Sequence, residues 1–198
     1  MSDFTLSAQP NTDIWKKPPT TDVFNAPFRP HSKGPLTTFQ SASLTFFAPY
    51  TTQYDQAGLL LTLTSPSTSA KKWIKTGIEF YNSQPRISTV CCDSWADWSV
   101  ASLPPSAPAQ EIQAGTKGVT IRVDRGQDEN GVGFWVYYVP EGANKEEELP
   151  LREICWVFGD NGGEGWELEV SAAVARPNKD VKGELQAKFS NFNVNWSS

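Results

Sequence analysis

The sequence predicts an all-β chain in which two antiparallel sheets pack face to face, as a jelly roll or a larger sandwich. Three observations carry that expectation. About ten to twelve short segments alternate apolar and polar residues with period two, the signature of strands with one face in a core. Aromatic residues make up 12% of the chain, with Trp 8 and Phe 11, and such side chains fit a pleated, half-buried surface. Gly 14 and Pro 15 punctuate the chain with turns, and no segment carries the spacing of a convincing helix. The 198 residues suit a single domain, 1–198, with room for a sizeable core.

Residues 1–21 read as an extended lead-in. Pro10, Pro18 and Pro19 bar a helix there, and Phe4, Leu6 and Trp15 are candidates to dock on the body. Residues 22–24 form a short strand, followed by a proline-punctuated loop over 25–31. Residues 43–48 make a strand with Leu44 and Phe46 inward, stopped by Pro49. Residues 59–64 are buried through Leu59, Leu61 and Leu63. Residues 73–81 and 86–92, joined across Asn82-Ser83-Gln84-Pro85, continue into an antiparallel meander. After a tryptophan-rich loop at 93–98, residues 99–101 resume a strand, and the proline-rich stretch 103–114 is a surface connection. Residues 116–124 set Val119, Ile121 and Val123 against Thr120, Arg122 and Asp124, and residues 134–139 answer them. Residues 151–158 are read as a strand with Ile154, Trp156 and Phe158 on one side. Residues 166–175, 185–189 and 192–196 close the fold.

Charge and motif content exclude several functions. Seventeen basic residues stand against 22 acidic ones, a formal net charge of -5, with no Lys/Arg run. Nucleic acid and anionic membrane are therefore not expected partners. No apolar run reaches the ~18 residues that a bilayer span needs, and residues 1–11 lack the basic start and apolar block of a secretory signal. Cys91, Cys92 and Cys155 are an odd count, and neighbours on a strand face opposite ways. Three free thiols in a reducing, cytoplasmic compartment are expected. One histidine, His31, and three scattered thiols make no zinc motif. The acidic turns at 124–130 and 160–164 lack the ordered spacing of a calcium loop, so no metal and no cofactor are expected.

The most informative stretch is Trp73-Ile74-Lys75-Thr76-Gly77-Ile78-Glu79-Phe80-Tyr81. Ile74, Thr76, Ile78 and Phe80 fall on one side. The other side offers a ring, a cation, a gap, a carboxylate and a second ring. Residues two apart lie roughly 6.7 Å from each other, so Lys75 and Glu79 are about 13 Å apart at the backbone and do not pair directly. Either the two charges find cross-strand partners, or something polar lies over Gly77 between them.

Three blocks in order, Tyr54-Asp55-Gln56-Ala57-Gly58-Leu59, Trp73 to Glu79, and Asp97-Trp98-Ser99, together with Asp22-Val23-Phe24 and Pro27-Phe28, resemble a family of concanavalin A-like proteins. The family is known through its yeast member as "regulation of enolase" proteins. The resemblance spans about residues 13–194. It is similar least at 102–114, a longer loop than the family's, and at Val174-Ala175-Arg176-Pro177, where a small Ser-Pro ending is expected. The resemblance implies a concanavalin A-like jelly-roll sandwich whose concave sheet carries a carbohydrate groove. It implies a fungal regulatory link to sugar and galactose metabolism, with a glycolytic enzyme as a possible protein partner. It supplies no catalytic mechanism.

Two kinds of chemistry fit the residues. Glycoside hydrolysis needs two carboxyls, about 5–5.5 Å apart for retention or 6.5–9.5 Å for inversion. The Glu-x-Asp-x-x-Glu strand pattern is absent. Glu79 with Asp55 is the preferred catalytic pair, Glu79 with Asp97 the other possibility, and Glu167/Glu169 an outward strand face. Carbohydrate binding needs flat rings beside planar hydrogen-bonding groups. Tyr54, Trp73 and Trp98 supply rings; Asp55, Gln56, Lys75, Glu79, Asp97 and Arg122 supply polar contacts. Core filling competes for each tryptophan, and a buried network that fixes strand register competes for the polar set. A binding or regulatory module with a sugar site is the first expectation, a glycoside-active enzyme the second and a protein-interaction module the third.

Overall fold

A computed structural model describes residues 2–197. Two six-stranded sheets face each other, and every strand pairing within them is antiparallel. The first contains β1 (Phe4–Ala8), β5 (Phe39–Phe47), β10 (Val119–Asp128), β11 (Gly131–Val139), β12 (Leu149–Ile154) and β14 (Leu185–Trp196), in the order β1-β14-β5-β10-β11-β12. The second contains β4 (Phe28–Pro35), β6 (Gln56–Ser65), β7 (Ala70–Tyr81), β8 (Gln84–Cys92), β9 (Ala96–Ser102) and β13 (Glu167–Ala175), in the order β4-β13-β6-β7-β8-β9. The expected all-β, concanavalin A-like sandwich is the fold observed. The 73–81 strand lies inside the predicted meander, with Gly77 opposite Gly58 on β6 and Ser88 on β8.

Period-two patterning builds the core. Leu44, Phe46, Ile121, Val123, Phe134, Val136 and Phe189 of the first sheet meet Leu59, Leu61, Leu63, Ile74, Ile78, Leu168 and Val170 of the second, all at most 1% exposed. Each such side chain stabilises the fold by about 1.5–3 kcal/mol through removal from water. The second sheet is also covered on its outer face. There Leu60, Trp73, Val90, Cys92 and Ala175 form a separate cluster with Ile14 and Ala26. The covering element is a two-stranded hairpin, β2 (Ile14–Lys17) and β3 (Thr21–Phe24), which pairs with neither large sheet.

The structure corrects several element expectations. The lead-in contains strands, with β1 paired along β14, while Phe4 and Leu6 dock on the main core and Trp15 on the outer cluster as expected. The 25–31 loop is in part β4, laddered to β13. The expected strand 151–158 ends at Ile154. Beyond it Cys155–Phe158 is a 3-10 turn, and it carries Phe158 edge-on against Phe134 at 5.5 Å. Burying that ring at the end of the sandwich outweighs continuing a ladder on an edge strand. A helix exists where none was expected, α1 (Ala109–Ala114). Ala, Gln and Glu favour it, Ile112 anchors it, and Gly115 closes it in the left-handed region at φ 73°. The two segments 185–189 and 192–196 are one strand interrupted by a register shift beside Asn191, whose φ is 49°.

Gly58 and Gly77 face one another where β6 and β7 run closest. A Cβ on Gly77 would lie 2.1 Å from the Ala57 carbonyl oxygen, and one on Gly58 would lie 2.2 Å from that of Thr76. Backbone, not a flexible side chain, blocks both positions. Gly77→Ala is expected to destabilise the protein by about 2–3 kcal/mol through overpacking. Urea unfolding checks this: the midpoint should fall with the slope unchanged.

Candidate functional site

The candidate site forms between the hairpin and the outer face of the second sheet. Asp13, Trp15 and Lys17 come from the hairpin side. Tyr54, Gln56, Lys75, Glu79, Val90 and Trp98 come from the sheet and its loops, and Pro177 closes the rim. Together they line a hollow of about 360 Å³. Directly over the glycine pair, Ile14 and Ala26 leave only a crevice of about 30 Å³, a volume on the scale of a water molecule. The space above Gly77 is thus occupied mainly by the protein itself, and the open hollow lies beside it.

Lys75 takes its partner from neither flanking strand. Its Nζ lies 2.8 Å from Asp13 Oδ1, which also accepts the Ile14 backbone N–H at 2.7 Å. The pair pins the hairpin to the sheet. Glu79 is 6% exposed. Its Oε2 accepts from Ser88 Oγ at 2.7 Å and from the Trp98 indole N–H at 3.0 Å. Among the described residues, Oε1 receives no hydrogen bond, although Glu79 lines the hollow. Burial raises the Glu79 pKa above the ordinary carboxylate value; Ser88, Lys75 and Trp98 oppose that shift. An aromatic run edges this end of the hollow. Tyr54 lies 6.0 Å from Tyr81, and Tyr81 lies 4.9 Å from Trp98, edge to face. Tyr54 is 41% exposed and Trp98 37%.

The structure brings together Tyr54, Gln56, Lys75, Glu79 and Trp98. Asp55, Trp73, Asp97 and Arg122 lie elsewhere. Asp55 is fully buried and held by Arg176, Nε to Oδ1 at 2.9 Å and a terminal nitrogen to Oδ2 at 2.8 Å, with the Thr51 and Thr52 backbone N–H groups on Oδ2. Every acceptor position faces protein, so Asp55 is placed as a structural anchor and not as Glu79's partner in the hollow. Trp73 is 3% exposed, beneath the hairpin. Asp97 pairs with Arg152 at 2.7 Å on an exposed edge. Arg122 belongs to the first sheet and bonds Glu148 and Asp124. The Cys91 and Cys92 side chains join opposite clusters, as strand alternation requires. Burial pushes their thiols up to about 12 and about 11, which leaves little thiolate for nucleophilic chemistry.

Asp13, Trp15, Lys17, Val90 and Pro177 were not singled out as site residues by the sequence. One signal pointed their way. Leu60, Trp73, Val90 and Cys92 make the outer face of the meander apolar as well, and a strand apolar on both faces is covered on both faces.

The comparisons with known proteins fit this architecture. A family model described as "Protein of unknown function (DUF1349)" matches residues 1–196. The chain belongs to that family. The uncharacterized protein AN7484 of Emericella nidulans is 38% identical over 192 residues, 96% of this chain and 85% of its own. A functionally unknown protein from Saccharomyces cerevisiae superposes with a TM-score of 0.66 at 19% identity, over 99% of this chain and 89% of that one. The GH43 protein BlXynB from Bacillus licheniformis gives a TM-score of 0.50 at 13% identity, over 80% of this chain and 28% of that one. At such identities the two structures share the fold alone with this DUF1349 chain.

Two outcomes test this assignment of roles. Asp55→Asn leaves the buried Arg176 without its counter-charge and is expected to cost about 3–5 kcal/mol, read as a lowered urea midpoint. Glu79 works in the opposite sense. Its folded pKa is raised, so folding is favoured while the carboxyl is protonated, and that advantage is lost as pH rises from the ordinary value of 4.5 through the folded value. The stability of wild type relative to Glu79→Gln should therefore fall as pH rises from about 4.5, then level off once Glu79 is ionised in both states.

Proposed function

We propose that this DUF1349 protein is a carbohydrate-binding module, with the hollow between the β2–β3 hairpin and the second sheet as its site. One observation carries the reading. A single hollow of about 360 Å³ combines three aromatic side chains, Trp15, Tyr54 and Trp98, with the hydrogen-bonding groups of Gln56, Lys75 and Glu79. That volume falls in the usual range for small-ligand sites, about 300–1,000 Å³. Rings offer faces to the apolar C–H side of a sugar, and the polar groups meet its hydroxyls. The fold shared with BlXynB, a GH43 protein, supports the sugar class by analogy. The finer reading, that occupancy regulates a step of sugar metabolism as the yeast "regulation of enolase" name implies, rests on the resemblance of the sequence blocks.

A second reading has its own observation. Glu79 and Asp13 are two carboxylates in one hollow. A glycoside-active enzyme would use Glu79 as the acid and Asp13, in place of Asp55, as its partner. Asp13 is committed to Lys75 and the Ile14 N–H, an arrangement that suits an anchor better than a base, so binding is the preferred reading.

A thermal-shift screen with neutral mono- and disaccharides separates the two. A ligand that binds only the native state, present at 100 times its Kd, stabilises it by about 2.7 kcal/mol. A raised melting temperature in wild type, lost in Trp98→Ala, is the expected result. Release of nitrophenol from nitrophenyl glycosides, abolished in Glu79→Gln, would instead favour the enzyme.

A further inference from the structure

We infer that the hollow selects a neutral polyhydroxy sugar over its phosphorylated or carboxylated counterpart, and that the selecting atom is Oε1 of Glu79. The inference rests on the sugar-binding reading and adds the class of ligand.

Glu79 is more than nine-tenths buried, and its two oxygens differ. Oε2 is saturated by Ser88 and Trp98. Oε1 has no protein donor among the described residues, and the residue lines the hollow. A polar atom that loses water without gaining a partner is costly, so a ligand that fills the hollow must itself supply the donor. An ionised carboxylate only accepts hydrogen bonds. A hydroxyl completes it, whereas a phosphate or a second carboxylate sets lone pair against lone pair at reduced dielectric. When Glu79 is protonated, a hydroxyl still serves, because it both donates and accepts.

The cations of the lining do not reverse this preference. Lys75 is neutralised by Asp13 at 2.8 Å, and Lys17 is an exposed ammonium at the rim. Two carboxylates balance two ammonium groups. The lining residues supply no arginine fork of the kind that makes bidentate contact with phosphate. Trp98 adds a constraint. Its indole N–H is bonded to the same carboxylate at 3.0 Å, so the ring and the free acceptor hold a fixed relation. A sugar ring stacked on the indole with a hydroxyl directed at Oε1 satisfies both at once.

Isothermal titration of the full chain with D-glucose, D-xylose, cellobiose, glucose 6-phosphate and glucuronate tests the inference. At least one neutral sugar is expected to bind, with the anionic probes ten-fold weaker or worse. Glu79→Gln sets an amide N–H where Oε1 stood, which a sugar hydroxyl still meets and a phosphate or carboxylate now meets as well. The neutral sugar's margin over the anions should therefore shrink at least ten-fold, chiefly because the anions bind more tightly. The amide introduced by that substitution keeps an acceptor for the Trp98 N–H, so an unchanged urea midpoint and tryptophan emission show that the site stands. Glucose 6-phosphate or glucuronate binding wild type as tightly as the neutral sugars overturns the inference and leaves the sugar reading intact. So does a Glu79→Gln variant that keeps the wild-type neutral-to-anion ratio. If Glu79→Gln does not fold, the neutral-to-anion ratio measured on wild type decides alone. No binding by any of the five probes removes the sugar reading itself and the inference with it.

Discussion

The pair of Asp55 and Arg176 is the constraint from which the candidate site hangs. Both side chains are buried, at 0% and 7% exposure. Four nitrogen contacts of the guanidinium reach Asp55 twice, Thr51 Oγ1 and the Gly183 carbonyl. The backbone of Arg176 also exchanges bonds with Thr12, from its N–H to the Thr12 hydroxyl and to its carbonyl from the Thr12 N–H. One residue thus fixes the loop that carries Tyr54 and the segment that leads into the hairpin. A buried ion pair adds little net stability over an apolar substitute, because desolvation is so costly. Here its effect is positional. It fixes a turn in which Tyr54 adopts φ 71°, a conformation that side chains other than glycine and asparagine resist by about 1–2 kcal/mol.

The second constraint is steric. The glycine pair lets β6 and β7 approach where no Cβ fits, and Ile14 with Ala26 fills the shallow depression left on the outer face. The hairpin is consequently seated by shape over the glycines, by charge at Lys75–Asp13 and by the Trp73 cluster. Hydrogen bonds between Thr12 and the backbone of Arg176 add to these at the hairpin's base.

The fold was legible in the sequence because period two is a local signal. The 73–81 stretch gave its inward residues, its outward residues and its place in the meander, and all three are observed. The site was legible only in part. Tyr54, Gln56, Lys75, Glu79 and Trp98 converge because they lie on the outer face of neighbouring strands or on the turns between them, which alternation and pairing order disclose. Asp55 sits one residue from Tyr54 and looked equally available. What removes it is an arginine 121 positions away, a separation that no spacing rule reaches. Arg176 lies in the block 174–177 that resembled the family pattern least, and its role there is the buried pair with Asp55. Arg122 alternated correctly but on the opposite sheet, and local pattern does not say which of two sheets a strand joins. The α1 helix escaped notice because it is 6 residues long, shorter than two turns of any helical period.

The hairpin's position carries a consequence for how such a protein can diversify. The floor of the hollow is laddered into a sheet whose reverse side is the main core, so altering it disturbs the sandwich. The opposing wall belongs to a short excursion that shares no hydrogen-bonded register with either sheet. Lengthening that excursion, recolouring its charges or trading its indole can reshape what the cavity admits while the packed layers behind it stay as they are. Selectivity and foldability are carried by different parts of the chain.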